Sequence, residues 1–245
     1  MCERRCENVP SKCEPRMPCG LMLAVLTVLL GVMQTSAYQV LSEGAAGTIT
    51  GGGVHCERSF APDRLVEDLR RDIEACAEAG LFAAAGSGGR DAADDTMRSA
   101  EYCDPIARDR SIGLFDAFFA LWERLDMVRQ ELEEAMGTQL LPEMEIHYVR
   151  YLGGGFYERH LDDYRDSSDR SSRRAVSFIC YLNEPSEPWA ASDGGMLRAW
   201  VDDAELEILP EAGSLVLFDS CVVEHEVATT HRERRCLIGW WHTPI

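Results

Sequence analysis

The chain has 245 residues, 46% of them hydrophobic and 27% charged, a composition that suits a globular protein with a core of ample size. Its formal net charge of -18 repels nucleic-acid phosphates and argues against a nucleic-acid partner, while a neutral or cationic partner is easier to accommodate. Lys12 is its single lysine, so any anion buried in the folded part must be met by arginine or histidine.

Residues 20–33, GLMLAVLTVLLGVM, form an apolar run preceded by Arg4, Arg5, Lys12 and Arg16 and followed by small residues around Ala37. A basic flank, a short apolar core and small residues predict that 1–37 is a secretory signal peptide or an uncleaved signal anchor. The run is short for a membrane span. The expected location is the secretory pathway (ER/Golgi or secreted), with a membrane anchor as the variant and a plastid leader less favoured. Ten cysteines are present and none forms a C-x-x-C pair, which leaves zinc-ribbon and thioredoxin sites without support. Cys180, Cys221 and Cys236 lie in apolar runs and read as core residues, whereas Cys56, Cys76 and Cys103 could pair in an oxidising compartment.

Residues 38–55 are small and glycine-rich and are expected to form a flexible linker. The segment 56–140 is expected to be the helical N-terminal part of the catalytic domain. Its first helix starts near Pro62, repeats Leu65, Leu69, Ile73 and Cys76 at helical spacing, and stops at Gly80. A glycine- and aspartate-rich loop is expected over 83–95. A second helix is expected over 111–136, with Phe115, Phe118, Phe119, Trp122, Leu125 and Leu132 on a wide apolar face that reads as core packing.

Beyond Pro142 the texture changes to short apolar runs separated by turn residues. They are EIHYVRYL, RAVSFICYL, GMLRAWV, AELEIL, GSLVLF and RRCLIGWW, and they predict strands over 141–245. The fold class is therefore expected to be mainly β (α+β), with two helices packed against a sandwich or barrel. Gly153–Gly155 read as a hairpin turn, because no helix or lysine of a phosphate loop follows. Gly194 and Gly195 are expected to let a strand start close to its neighbour. RDSSDRSSRR (165–174) is expected to be a surface loop able to cover a substrate. Trp189, Trp200 and Trp241 read as packing residues.

The chemistry sits in the histidines. His160 and Asp162 are two residues apart, so on a strand both side chains point to one face. Two histidines and one carboxylate make the facial triad of a non-haem iron site, which leaves ligand positions open. The second histidine must come from another strand. His225, after GSLVLFDS, fits best; His231 lies in a turn-like polar stretch, and His147 and His242 lie at other strand positions. A bound 2-oxoacid with a second carboxylate needs a fixed cation nearby. RERRCLIGWW offers one: in a strand Arg234, Cys236, Ile238 and Trp240 share a face, and Arg235, Leu237, Gly239 and Trp241 the other.

The pieces RYLGGGFYERHLDD, SFICYLN, DGGMLRAW, LPEAGSLVLFDS, HEV and RRCLIGWW occur in the order and spacing of the prolyl 4-hydroxylase-type Fe(II)/2-oxoglutarate dioxygenases. Residues 145–242 resemble that family. The resemblance implies a double-stranded β-helix (jelly roll) with N-terminal buttressing helices. It implies Fe(2+) held by His160, Asp162 and His225, and 2-oxoglutarate held by Arg234 (alternative Arg235), with Tyr181 and, less firmly, Tyr151. It also implies O2 as co-substrate, ascorbate dependence, and hydroxylation of a C–H bond with release of succinate and CO2. A peptide or protein substrate is favoured and a small molecule is the alternative; no oligomeric state is indicated. A non-catalytic cupin-like jelly roll is the rival class. The complete ligand set and the absence of a His-x-His pair speak against it.

Overall fold

The computed structural model describes residues 39–84, 97–163 and 171–245. The expected leader, most of the loop expected over 83–95 and the first part of the loop expected over 165–174 lie outside the described residues. The folded unit runs from Val40 to Ile245. Its strands are β1 (Val54–Glu57), β2 (Ala83–Ala84), β3 (Arg98–Ser99), β4 (Glu101–Cys103), β5 (Met144–Tyr151), β6 (Phe156–His160), β7 (Ser172–Tyr181), β8 (Leu197–Val201), β9 (Ala204–Ile208), β10 (Leu215–Asp219), β11 (Glu224–Val227) and β12 (Arg234–Pro244). Its α-helices are α1 (Ala45–Thr50), α2 (Asp63–Glu78) and α3 (Phe115–Met136).

The strands form two antiparallel sheets. The larger has the order β1-β10-β7-β12-β5-β4-β2 and the smaller β3-β6-β11-β8-β9. This is the mainly β, jelly-roll architecture expected from the sequence. Period-2 alternation decides what each face of the large sheet covers. On β10, Leu215 and Leu217 join the cluster under the helices, with Val66, Leu69, Phe118 and Leu121. Val216 and Phe218, one residue out of phase, join the second cluster between the sheets, with Leu197, Ala199 and Val227. The long central strands are therefore apolar on both faces, and α2 and α3 buttress the outer one.

The helices start and stop where their chemistry directs. Pro62 caps α2 in an extended conformation, and Gly137 ends α3 at φ 62°, the left-handed geometry that favours glycine. The second helix begins at Phe115 rather than at residue 111, because Gly113 sits at φ 74°, outside helical geometry, and the Leu114 N–H at the cap is met by Asp72 at 2.5 Å. In the Gly153–Gly155 turn between β5 and β6, Gly154 sits at φ 90°. Gly194 (φ 67°) bridges Thr230, and a Cβ there would lie 2.2 Å from the Thr229 carbonyl oxygen, so the close strand approach expected there is realised.

Two expectations need correction. The flexible linker over 38–55 is folded from Val40 onward. Leu41, Ala45 and Ile49 are buried in the helix-side core, and Val40 and Leu41 N–H groups donate to Glu131 on α3. The residues are small because α1 packs closely, and small residues read as a linker by composition alone. The segment 56–140 is also less helical than expected. It supplies β2, β3 and β4, whose two- and three-residue lengths are too short for any alternation to show.

Truncation of Ile49 separates these two views of the segment. Ile49→Ala is expected to lower unfolding free energy by about 2–5 kcal/mol, the cost of emptying a sealed core position. Denaturant titration at unchanged m-value checks this; a change within error would return residues 40–53 to linker status.

Candidate active site

The two sheets face each other across a cavity of about 380 Å³, lined from one side by His160, Asp162 and His225 and from the other by Arg234, Tyr151 and Trp240. On the smaller sheet β6 pairs with β11 so that His160 lies directly opposite His225. The ring centroids are 4.3 Å apart. Asp162 is not on the strand: β6 ends at His160 and the chain bends. That bend is fixed by the next residue. The Asp163 N–H donates to the Ser220 carbonyl at 3.1 Å, and the Asp163 carboxylate accepts the Arg174 N–H at 2.8 Å. The result matches what strand alternation would have produced. Asp162 Oδ1 is 3.5 Å from His160 Nε2, Asp162 Oδ2 is 3.7 Å from His225 Nε2, and one ligand atom from each residue falls within 4.8 Å of the others.

The backbone sets the tautomer of both rings. His160 Nδ1 lies 2.7 Å from the Glu158 carbonyl, and His225 Nδ1 lies 3.2 Å from that of Val223. A carbonyl only accepts, so each Nδ1 carries the hydrogen and each Nε2 presents a lone pair to the cavity. Burial alone would raise the Asp162 pKa. Positive charge on the adjacent His225 and His160 rings when they are protonated, together with the Ser177 hydroxyl, outweighs that and holds the carboxyl well below the usual range, and between neutral rings a bound cation would take the same part. Burial pushes His225 downward, toward its neutral form. Two neutral imidazoles and an ionised carboxylate are the states in which these groups bind a divalent cation. Ser177 donates to Asp162 Oδ2 at 2.7 Å and is itself 2.8 Å from Ser220 Oγ, which orients the carboxylate. Tyr157 stacks on His160, with centroids 3.7 Å apart and planes 18° from parallel.

The larger sheet supplies a cation. Arg234 is 1% exposed. Its guanidinium carbon lies 4.9 Å from the Tyr151 ring centroid and 5.0 Å from that of Tyr181. Register explains the setting: β12 pairs Arg234 with Tyr151 on β5 and Cys236 with Tyr181 on β7. Nη1 reaches Cys236 Sγ at 3.4 Å, and the Tyr181 hydroxyl lies beside the guanidinium as a loose polar contact, while among the described residues no carboxylate pairs with Arg234. Burial disfavours the charge on Arg234, yet the neighbouring Cys236, Tyr181 and Tyr151 outweigh it and keep the pKa above its ordinary value. Arg235 is committed elsewhere. It points to the helix side, with Nη2 2.6 Å from Glu74 and Nε 2.9 Å from Glu233. Of the two arginines that strand alternation left open, Arg234 lines the cavity and Arg235 faces the helix side.

Residues that the sequence did not single out complete the cavity. The Arg174 guanidinium lies 3.7 Å over the Trp240 ring, bonds Glu145 through Nε at 3.0 Å, and donates from Nη1 to the Asp162 carbonyl at 3.0 Å. Of the histidines weighed as ligands, His147 lines the cavity, while His242 lies outside its lining with Nε2 3.4 Å from Glu145. Arg174 is seven residues before Tyr181, an odd number, so plain alternation puts them on opposite faces. A register shift overturns that. Trp241 pairs with Val176 and His242 with Arg174, so β7 skips a residue there and Arg174 rotates onto the face of Ser177 and Tyr181. Arg98 and Tyr102, from β3 and β4, also line the cavity. The remaining candidates fall as read: His231 is exposed, with its Nδ1 3.0 Å from the Ser192 carbonyl, and Trp241 packs on Phe178 at 4.5 Å.

A jelly roll thus sets a His, Asp, His cluster that could hold one metal ion at the smaller sheet across a cavity from a buried arginine on the larger. Residues 146–242 match the family model described as the 2OG-Fe(II) oxygenase superfamily, and the chain carries a domain of that family. A prolyl-4-hydroxylase of Pseudomonas putida is 29% identical and superposes with a TM-score of 0.67, covering 82% of this chain and 98% of that one. A prolyl hydroxylase from Trichoplax adhaerens, solved with a peptide fragment of hypoxia inducible factor, has the same fold, with a TM-score of 0.73 over 86% of this chain and 93% of that one at 21% identity. Among curated relatives, the prolyl 3,4-dihydroxylase OGFOD1 of Ostreococcus tauri is 32% identical over 83 residues, which is 29% of this chain and 16% of that protein. A PKHD-type hydroxylase of Maricaulis maris is 30% identical over 126 residues, 48% of this chain and 54% of that protein. The chain thus spans about half the length, or less, of the curated relatives it matches.

The asymmetry between the two arginines is directly testable. Arg234→Gln is expected to weaken 2-oxoglutarate binding about 10–100-fold, the value of charge-assisted hydrogen bonds to a buried carboxylate. Arg235→Gln should leave that affinity within about twofold. Anaerobic calorimetry with Fe(II) present reads both; equal losses would contradict the assignment.

Proposed function

We propose that this protein is an Fe(II)- and 2-oxoglutarate-dependent dioxygenase that hydroxylates a prolyl residue of a peptide, releasing succinate and CO2. The observation that carries the reading is the buried guanidinium of Arg234, whose polar neighbours among the described residues are Cys236 and Tyr181, set across one cavity from the His160, Asp162, His225 cluster. A buried cation without a carboxylate partner is costly unless an anion completes it. 2-oxoglutarate fits because its distal carboxylate can accept from Arg234 and Tyr181 while its 2-oxoacid end approaches the cluster. Fe(2+) fits because both Nε2 atoms and an ionised carboxylate converge. The family implies both groups, with O2 as the third reactant.

Each residue has a definable task. His160 and His225 each present Nε2, because their Nδ1 hydrogens are spent on backbone carbonyls. Asp162 supplies the third ligand and stays ionised, with Ser177 holding one of its oxygens. Arg234 neutralises and orients the distal carboxylate, and the Tyr181 hydroxyl adds a donor. When bound, iron and 2-oxoglutarate together supply an oxidant able to break a C–H bond. Trp240, under the Arg174 guanidinium, gives the cavity a flat apolar wall on which a pyrrolidine ring can lie, and the apolar shell of the sandwich excludes water from the reaction. The prolyl substrate is supported by the Pseudomonas putida enzyme at 29% identity and by the Ostreococcus tauri prolyl dihydroxylase at 32%. The net charge of -18 favours peptides that are neutral or cationic.

Two further proposals complete the reading. Ascorbate is proposed to sustain turnover, which a time course with and without it measures: identical curves would remove the requirement. Residues 1–37 are proposed to route the chain into the secretory pathway. N-terminal sequencing of the mature protein checks cleavage after Ala37, and cytosolic retention of a full-length fusion would defeat the route.

The function itself is tested in two stages. Anaerobic addition of Fe(II) and 2-oxoglutarate should produce a visible charge-transfer band that is lost in His160→Ala and in Asp162→Ala, and admission of O2 should then yield succinate. No band in the wild type, or a band surviving both substitutions, defeats the site. In the second stage proline-containing peptides should raise succinate formation above the uncoupled rate and gain 16 Da on proline, a mass set by one added oxygen atom, roughly the monooxygenation expected of the class. Stimulation by small molecules alone would redirect the substrate and leave the chemistry standing.

A further inference from the structure

Asp162 is the candidate ligand that no strand holds, since β6 ends at His160. Arg174 of β7 ties the bend from two directions. Its backbone N–H donates to the Asp163 carboxylate at 2.8 Å, and its Nη1 donates to the Asp162 carbonyl at 3.0 Å. The guanidinium is itself held in plane. It lies 3.7 Å over the Trp240 ring, and its other donors go to Glu145 on β5: Nε to one carboxylate oxygen at 3.0 Å and Nη2 to the second. Register places Glu145 there. β5 pairs Glu145 with Trp240, and alternation along β5 puts Glu145, His147 and Tyr151 on the cavity face.

The residue types matter because of the fork they form. Two parallel N–H···O bonds fix both the distance and the plane of a guanidinium, which a single contact does not. Stacking on Trp240 fixes the same plane from the ring side. With Nε and Nη2 committed to Glu145, Nη1 is left aimed at the Asp162 carbonyl. Among the described residues Glu145 makes no hydrogen bond to Asp162, His160 or His225; its other neighbours are His242, with Nε2 3.4 Å away, and His147, with Nε2 3.9 Å away. Burial opposes charge on Glu145, but His147, His242 and Arg174 outweigh it and keep the carboxyl ionised. The Glu145 and Arg174 side chains are 37% and 25% exposed, so as an ion pair they add little to folding stability. What the pair supplies is orientation.

We propose that Glu145 is a positioning residue for the metal site and acts through Arg174. It aims the guanidinium that holds the Asp162 bend, and so sets how well Asp162 reaches a metal shared with His160 and His225. The role rests on the metal-site reading above. It has a second consequence on the same sheet face. The Arg174 fork is filled by an acid that the chain itself supplies, whereas no described carboxylate pairs with Arg234. An acid entering the cavity is therefore received by Arg234, and Arg174 stays with the metal ligand. Glu145 thus keeps two arginines of one sheet in different tasks.

The test uses the full-length chain with Co(II) as the metal probe, whose visible bands report ligand geometry, and no 2-oxoglutarate. Glu145→Ala and Arg174→Ala are each expected to raise the Co(II) dissociation constant about tenfold, the lower end of what partners of metal ligands control, and to alter the bands at saturation. The double variant should lose no more than either single one, because both remove the same device. The thermal midpoint of the metal-free variants should move by no more than about 4 °C, which separates positioning from general destabilisation. Glu145→Gln keeps the shape and one acceptor for Arg174, so its loss should be smaller, about threefold, and it carries the test if the alanine variant folds poorly. A wild type that binds no Co(II) defeats the metal site and this role with it. Wild-type binding matched within twofold by Glu145→Ala and Glu145→Gln, with unchanged bands, overturns the role alone. Single losses that multiply to about a hundredfold in the double variant show Glu145 acting apart from Arg174 and overturn it too.

Discussion

The structure depends on one costly feature, a guanidinium sealed between two tyrosine rings with no carboxylate partner among the described residues. Burying Arg234 costs its hydration, and the aromatic faces and the Cys236 sulfur beside it hold its charge against that loss. The position is therefore over-determined by the sheet. β12 is the central strand of the pairing β7-β12-β5, so both flanking strands fix its register, and with it the register of Tyr151 and Tyr181. A one-residue slip would send Arg234 to the helix side and bring Arg235 inward. Arg235 is held against such a slip by Glu74 on α2 and by Glu233. The buttressing helix thus contributes to the site by fixing which arginine faces it.

The same logic of position before chemistry holds on the smaller sheet. The metal-binding capacity of His160 and His225 follows from where their Nδ1 atoms point. In both cases the partner is the carbonyl two residues upstream, Glu158 within β6 and Val223 just before β11. Asp162 needs more help, since it lies beyond the end of β6. Its neighbour Asp163 supplies that help by tying the bend to β7 and to Ser220, and Ser177 and Ser220 then orient the carboxylate. Adjacent aspartates that look redundant in sequence divide the work: one faces the cavity and the other holds the backbone.

What could be read from the sequence follows from which signals are local. Apolar alternation in EIHYVRYL and RRCLIGWW, the long apolar face over 115–132, and a histidine two residues from an aspartate survive as patterns because each is contained in one element. Features made by pairing between elements were not visible. Arg174 enters the cavity through a skipped residue in the β7–β12 register, which no count along one strand reveals. Arg98 and Tyr102 arrive on strands of two and three residues, and α1 was taken for a linker because close packing and flexibility both select small residues. The separation of Arg234 from Arg235 likewise needed Glu74, 161 residues from Arg235.

The division of the site between two sheets also constrains what it can hold. The candidate metal ligands come from β6, β11 and the bend after β6, while the cation comes from β12 of the facing sheet, and packed sheets stand about 10 Å apart. A molecule that satisfies both ends must therefore carry a chelating group and, at a fixed distance, an acid. A 2-oxoacid without the second carboxylate would reach the cluster and leave Arg234 buried without a carboxylate partner, forgoing the hydrogen bonds that an acid there would accept. Selection for a diacid thus arises from the gap between the sheets. The side chains at either end supply affinity, and the sandwich supplies the ruler.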